Sequence, residues 1–155
     1  MENLSDQQER ERIAQLAAVC VCSNIRRASR AVTNYYDSVL GEVSNLRVSQ
    51  AILLVIVYLA GPQTMNDLAK MTGLDRTTIG RNLKPLAQQG LLTLTPGDDQ
   101  RTRIVTLAAP GYEAILRVVP QWERAQAHMV AGMEQEQVAG LLGQLSAVAA
   151  RAQEV

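Results

Sequence analysis

"TMNDLAKMTGLDRTTIGRNLKPLAQQG", residues 64–90, holds two short helical patterns separated by a glycine. Thr64 is an N-cap candidate, and Asp67 three positions on completes an approximate capping box. Such side chains take the amide hydrogens that the first helical turn leaves unpaired. Leu68, Ala69 and Met71 are the expected inward residues of this first helix, and Gly73 its end. Asp75 caps a second helix in which Ile79, Leu83 and Leu86 recur at helical spacing. Two short helices joined by a glycine-containing turn make a helix-turn-helix.

The polar side of the second helix carries the chemistry. At ~100° per residue, Thr77, Arg81, Lys84 and Gln88 all fall within ~40° of the direction opposite the apolar residues. Thr78 and Asn82 stand on one flank, Arg76 and Gly80 on the other. Two cations and two hydroxyl or amide groups thus share a stripe with no carboxylate to neutralise them. Arginine grips guanine edges or phosphates, lysine neutralises phosphate, and threonine bonds phosphate or meets a thymine methyl. A mixed polar stripe also suits an ordinary solvated face. The helix and turn in front of it favour the reading of a helix that enters DNA.

Past Gly90, LLTLTPGDDQRTRIVTLA reads as strand, turn, strand, with Pro96-Gly97-Asp98-Asp99 as turn chemistry. Arg101 and Arg103 follow the acidic tip, and Asp99 can orient Arg101 by a charge-assisted bond. Arginines on such a turn can enter a minor groove beside the helix in the major groove. Residues 76–103 hold five cations (Arg76, Arg81, Lys84, Arg101, Arg103) and two acids (Asp98, Asp99), a local charge of 5 − 2 = +3. The plainer reading is an exposed turn with incidental charges.

Outward from this centre the chain is helical. Before it, RVSQAILLVIVYLAGP is apolar at every position from Ala51 to Ala60, which predicts a central core helix closed by Gly61 and Pro62. From Gln8 to Leu40 there is neither Gly nor Pro, and Val21, Ile25, Ala28, Val32, Tyr35 and Val39 follow three-and-four spacing, which predicts one long helix. After the hairpin, Pro110 suits the first turn of a helix in which Pro120 predicts a kink. The last segment aligns Val138, Leu141, Leu142, Leu145, Val148, Ala149 and Ala152. Both chain ends carry apolar stripes that a single chain leaves wet, so a homodimer with interlocking terminal helices is expected. The expected fold is mainly α with a small β-hairpin wing. Residues 1–45 and 108–155 would form the helical dimerisation region and residues 46–107 the winged helix-turn-helix DNA-binding domain.

Composition bounds the alternatives. The 155 residues carry 15 Lys+Arg and 15 Asp+Glu, so a basic surface must be local. No run approaches the ~18 apolar residues of a membrane span and the start lacks an apolar leader core, so no membrane partner is expected. Two cysteines give no disulfide framework, and free thiols fit a reducing cytoplasm. No metal-spaced histidine cluster, glycine-rich phosphate loop or nucleophile–base pair is visible, so neither an enzyme nor a cofactor or metal is expected.

The order of long helix, apolar helix, TMNDLAKMTGLDRTTIGRNLKPLAQQGLLTL and then DDQRTRIVTLA resembles the MarR family of winged helix-turn-helix transcriptional regulators. The family's wing phrase, Asp-x-Arg followed six residues later by Leu, is matched by Asp99, Arg101 and Leu107. The resemblance spans nearly the whole chain and is most specific over residues 46–110. It implies a cytoplasmic dimer on a pseudo-palindromic double-stranded operator. Thr77, Thr78, Arg81, Asn82 and Lys84 would lie in the major groove and Arg101 in the minor groove; Thr64, Arg76, Asp99 and Arg103 complete the expected DNA-facing set. It also implies a repressor released by a small aromatic or phenolic effector or by cysteine oxidation. Three positions depart from the pattern. Gly80 lacks a side chain, Pro85 deletes the backbone bond to Arg81 and is predicted to bend the helix, and AAPG replaces Thr-x-x-Gly after Leu107.

Two sensing arrangements are open. Arg26, Tyr35 and Tyr36 in NIRRASRAVTNYYD can line a pocket in which arginine holds a carboxylate and tyrosine a ring. Cys20 and Cys22, two apart on one helix, would diverge by ~200°, which leaves pairing across a dimer, a soft metal with outside ligands, or simple packing. His128, the only histidine, is expected as a surface or interface residue. A winged-helix module that binds protein rather than DNA is the reading of another class.

Overall fold

A computed structural model describes residues 4–97 and 102–154. In chain order they form α1 (Leu4–Val19), α2 (Val21–Gly41), α3 (Val48–Ala60), β1 (Gln63–Thr64), α4 (Met65–Thr72) and α5 (Arg76–Gln88). β2 (Leu92–Pro96), β3 (Arg103–Leu107), α6 (Ala109–Met129) and α7 (Gln135–Arg151) follow. The architecture is the mainly helical, winged helix-turn-helix one that the pattern predicts.

The all-apolar α3 lies at the centre. Its Leu53, Leu54 and Val57 are buried among Tyr36, Val39 and Leu40 of α2, Ile79, Leu83 and Leu86 of α5, and Ala114, Ile115 and Val118 of α6. Removing each large aliphatic side chain from water contributes roughly 1.5–3 kcal/mol, so this cluster dominates the fold's stability. The left-handed Gly61 (φ 75°) ends α3.

The sheet is antiparallel in the order β1-β3-β2, with Leu94 opposite Val105 and Gln63 opposite the same Val105. Two residues of GPQT were not legible as a strand because β1 exists only by pairing with β3. The wing is anchored to the core at Gly111 in the first turn of α6. A side-chain carbon there would lie 2.0 Å from the Leu91 carbonyl oxygen and 2.7 Å from Leu107 Cδ1, so only glycine permits this approach.

Two helical expectations need correction. The predicted single helix from Gln8 to Leu40 is broken at Cys20, which is extended (φ −63°, ψ 110°) and precedes α2. The Asn24 side chain donates to the Ala18 carbonyl at 3.1 Å and the Cys20 carbonyl at 3.0 Å, and the Asn24 amide also donates to Cys20 O. Asparagine thus competes with the helical ladder. Met71 is exposed rather than inward. The buried face of α4 is centred on Leu68, with Met65, Ala69 and Thr72 half-buried beside it, and Met71 turns off that face at ~100° per residue. Helices α5 and α6 stay continuous across Pro85 and Pro120. Along α1 and α7, Ile13, Leu16, Val19, Leu141, Leu142 and Leu145 are all exposed in the single chain.

Candidate nucleic-acid interface

Two side-chain caps build the helix-turn-helix. The Thr64 hydroxyl accepts from the Asp67 amide at 3.1 Å and donates to Asp67 Oδ2 at 2.6 Å. Gly73 (φ 67°) turns the chain, and Asp75 then accepts from the Thr78 amide at 2.9 Å and the Thr78 hydroxyl at 2.6 Å. The Thr78 hydroxyl bond, followed by the Thr78 amide bond, holds the Asp75 carboxyl below its ordinary value. Each cap satisfies donors a helix start would otherwise expose.

The cap fixes the rotation of α5, and Ile79, Leu83 and Leu86 are buried while Thr77, Arg81, Lys84 and Gln88 are all exposed. Arg81 and Lys84 have no carboxylate partner among the described residues. Arg76 is exposed beside them at the helix start. Asn82 is half-buried, its amide spent on the Thr78 carbonyl at 3.0 Å and on Ser49 Oγ at 3.1 Å. Arg103 is exposed at the outer end of β3, opposite Pro96. Asp99 and Arg101 lie outside the described residues. Helix and wing flank a cleft of about 430 Å³ lined by Met65, Gly80, Leu83, Lys84, Gln88 and Leu94. A helix of α5's length is about 20 Å long and of a width that a major groove admits.

Arg26 and Tyr36, both expected to sense an effector, line different clefts, while the Tyr35 and Tyr36 rings meet edge-on. Tyr36, not Tyr35, is the buried tyrosine, and its hydroxyl donates to Gln126 Oε1 at 2.7 Å. Burial, with Tyr35 adding to it, pushes the Tyr36 phenol above its ordinary value. Tyr35 stacks on His128 with ring centroids 4.6 Å apart. Arg26 lines a separate groove with Ile25, Ser29 and Arg30. Tyr36 instead borders a cleft of about 280 Å³ with Val32, Thr33, Val48, Ile52 and Trp122. Sequence reasoning missed Trp122, although a lone tryptophan on an amphipathic helix marked it. Cys20 is half-buried at the helix break and Cys22 exposed, so the ~200° divergence expected of a continuous helix does not apply. Among the described residues no group of His, Cys, Asp or Glu could hold a metal, and no helix is long and apolar enough to cross a membrane.

A sequence model of the MarR family matches residues 44–102. No curated protein matches the chain. Among solved structures, the M. tuberculosis transcriptional regulator MosR in complex with DNA is 31% identical, with a TM-score of 0.75 over 86% of this chain and 98% of that one. PcaV, a Streptomyces coelicolor transcriptional regulator in complex with its natural ligand, is 21% identical, with a TM-score of 0.79 over 88% and 96%. A mutant MarR from E. coli complexed with operator DNA is 18% identical, with a TM-score of 0.76 over 86% and 96%. The last two share the fold.

Proposed function

The chain belongs to the MarR family of transcriptional regulators, and from that premise we propose that it is a homodimeric, sequence-specific DNA-binding repressor released by a small aromatic or phenolic effector. The observation that carries the reading is the exposed stripe of Thr77, Arg81, Lys84 and Gln88, held outward by a doubly capped helix-turn-helix, with no carboxylate on Arg81 or Lys84 among the described residues. Lysine and arginine there neutralise phosphates or meet base edges, and Thr77 supplies a short polar contact. Arg103, with Arg101, brings cations to the wing. The apolar stripes of α1 and α7 pair with those of a second copy, which sets two recognition helices on half-sites about 34–36 Å apart. The effector occupies the cleft of Thr33, Tyr36 and Trp122, between the helices expected to dimerise and the winged lobe, and opposes DNA binding by linkage.

The test is fluorescence anisotropy with the protein's own upstream DNA across a salt series, for wild type and Arg81→Ala. Loss of one phosphate contact reduces the salt slope by about one unit, and loss of a base contact reduces preference at one position by about 1–3 kcal/mol. Equal affinity and equal slope would remove Arg81 from the interface. Wild-type binding without salt dependence or sequence preference would favour a protein-interaction module.

The helix break favours a second reading, in which Cys20 and Cys22 sense oxidants. With Cys20 extended, the two thiols escape the helical divergence; peroxide would take two electrons from them, giving one disulfide and two waters. Unchanged operator binding after peroxide, in wild type and in Cys20→Ser and Cys22→Ser alike, sinks this version.

A further inference from the structure

Outside its apolar face the recognition helix makes a polar contact with the central helix α3. Ser49, in the first turn of α3, donates its hydroxyl hydrogen to Asn82 Oδ1 at 3.1 Å, and Asn82 Nδ2 donates to the Thr78 carbonyl at 3.0 Å. The amide's orientation follows from chemistry: the Thr78 carbonyl can only accept, so nitrogen must face it and oxygen must face Ser49. Both residues are half-buried. An asparagine that reads adenine offers one acceptor and one donor in the plane of its amide. Here one N–H and one oxygen lone pair of that amide are already held by protein.

The first turn of α3 is itself pinned. Asp37 of α2 accepts from the Val48 amide at 2.7 Å and from Arg47 at 3.4 Å, and the Gln50 side chain accepts from the Arg47 amide at 3.0 Å. Val48 lines the cleft beside Tyr36 and Trp122, and Ser49 is the next residue. A run of contacts thus passes from α2 through residues 47–50 to the middle of α5.

Resting on the regulator reading above, we propose that Ser49 is a positioning residue for DNA recognition, acting through Asn82, which sets the rotation of α5 and does not itself read a base. The bond fixes the angle at which Thr77, Arg81 and Lys84 meet the groove. Sequence discrimination depends on that angle. Attraction to phosphates depends on the number of cations and only weakly on their angle.

The test uses the full chain and a duplex selected by the wild type from random sequence, with a scrambled duplex as control. Affinities for both are measured by anisotropy for wild type, Ser49→Ala, Ser49→Thr, Asn82→Ala and Ser49→Ala/Asn82→Ala. Losing the bond is expected to reduce the preference for the selected duplex about tenfold in either alanine variant. The double variant should be no worse than the singles, because one bond is removed in all three. Ser49→Thr keeps a hydroxyl and should restore the preference. For Ser49→Ala, affinity for the scrambled duplex should stay within about twofold of wild type and its salt slope should not change, since no phosphate contact is lost.

Losses that multiply in the double variant would overturn the proposal. So would Asn82→Ala relaxing one base position while Ser49→Ala keeps wild-type preference, which would make Asn82 a direct reader. A drop in thermal stability with preference unchanged also overturns it, leaving a purely structural bond. Wild type that selects no sequence overturns the regulator reading and takes this proposal with it; the other three outcomes leave that reading standing.

Discussion

Gly111→Ala should unseat the wing. The new Cβ would lie 2.0 Å from the Leu91 oxygen, and contacts under 3.0 Å do not persist, so the start of α6 must retreat by at least 3.0 − 2.0 = 1.0 Å. That retreat stretches the Ala108 amide bond to the same Leu91 oxygen, now 3.1 Å, beyond hydrogen-bond range. Overpacking costs about 1–3 kcal/mol, and leaving a buried carbonyl unpaired about 1–3 more. Alanine's helix preference returns up to about 1 kcal/mol. The net expectation is a loss of about 1–6 kcal/mol, or roughly 2–24 °C in Tm for a chain of this size. Urea and thermal unfolding followed by circular dichroism, at one protein concentration, measure it. Gly80→Ala is the matched control. Its Cβ meets only the flexible end of Met65 at 3.4 Å, so the helix preference should prevail and stabilise by about 0.5–1 kcal/mol. If Gly111→Ala unfolds within about 0.5 kcal/mol of wild type, the close approach does not constrain the wing and the reasoning fails.

Other substitutions probe the caps and the α2–α6 contact. Ala108 has the extended backbone of an N-cap (φ −91°, ψ 161°) but no side-chain acceptor, so Ala108→Ser should stabilise by about 1 kcal/mol in urea unfolding; no gain would mean α6 does not lack a cap. Asp75 has a folded pKa below its ordinary 3.8, so its ionised form stabilises the native state above that value and the effect is lost as pH falls through the lowered one. The advantage of wild type over Asp75→Asn should therefore vanish in acid unfolding below that window, and a pH-independent difference would contradict the assignment. Tyr36 has the opposite sign. Its folded pKa lies above 10.0, so relative to Tyr36→Phe its stabilising contribution is present below pH 10.0 and lost as pH climbs toward the raised value. Below that range the difference should be about 1 kcal/mol, from the Gln126 bond, and alkaline unfolding curves that never converge would refute it.

Residues 64–90 were legible because their code is local. Thr64, Gly73 and Asp75 punctuate two helices within a few residues of each other, and Ile79, Leu83 and Leu86 choose the buried face by angle alone. The same angles put Thr77, Arg81, Lys84 and Gln88 on the outside. The hairpin follows from alternation around a turn. Where elements meet, local patterns do not decide. The break at Cys20 comes from Asn24 reaching back to Ala18, in a stretch with no glycine or proline to mark it. Tyr36 rather than Tyr35 is buried because α6 supplies Gln126, 90 residues away, for its hydroxyl. Asn82 stood on a flank of the helical wheel, where angle alone does not decide its partner, and Ser49, 33 residues earlier, holds its amide. By itself the sequence determined the apolar central helix, the helix-turn-helix with its buried face, and the hairpin, through caps and periodicity whose partners lie within a few residues. Only the tertiary structure decided which polar side chains are spent inside the molecule, because a hydrogen-bonding group's partner depends on packing between distant segments.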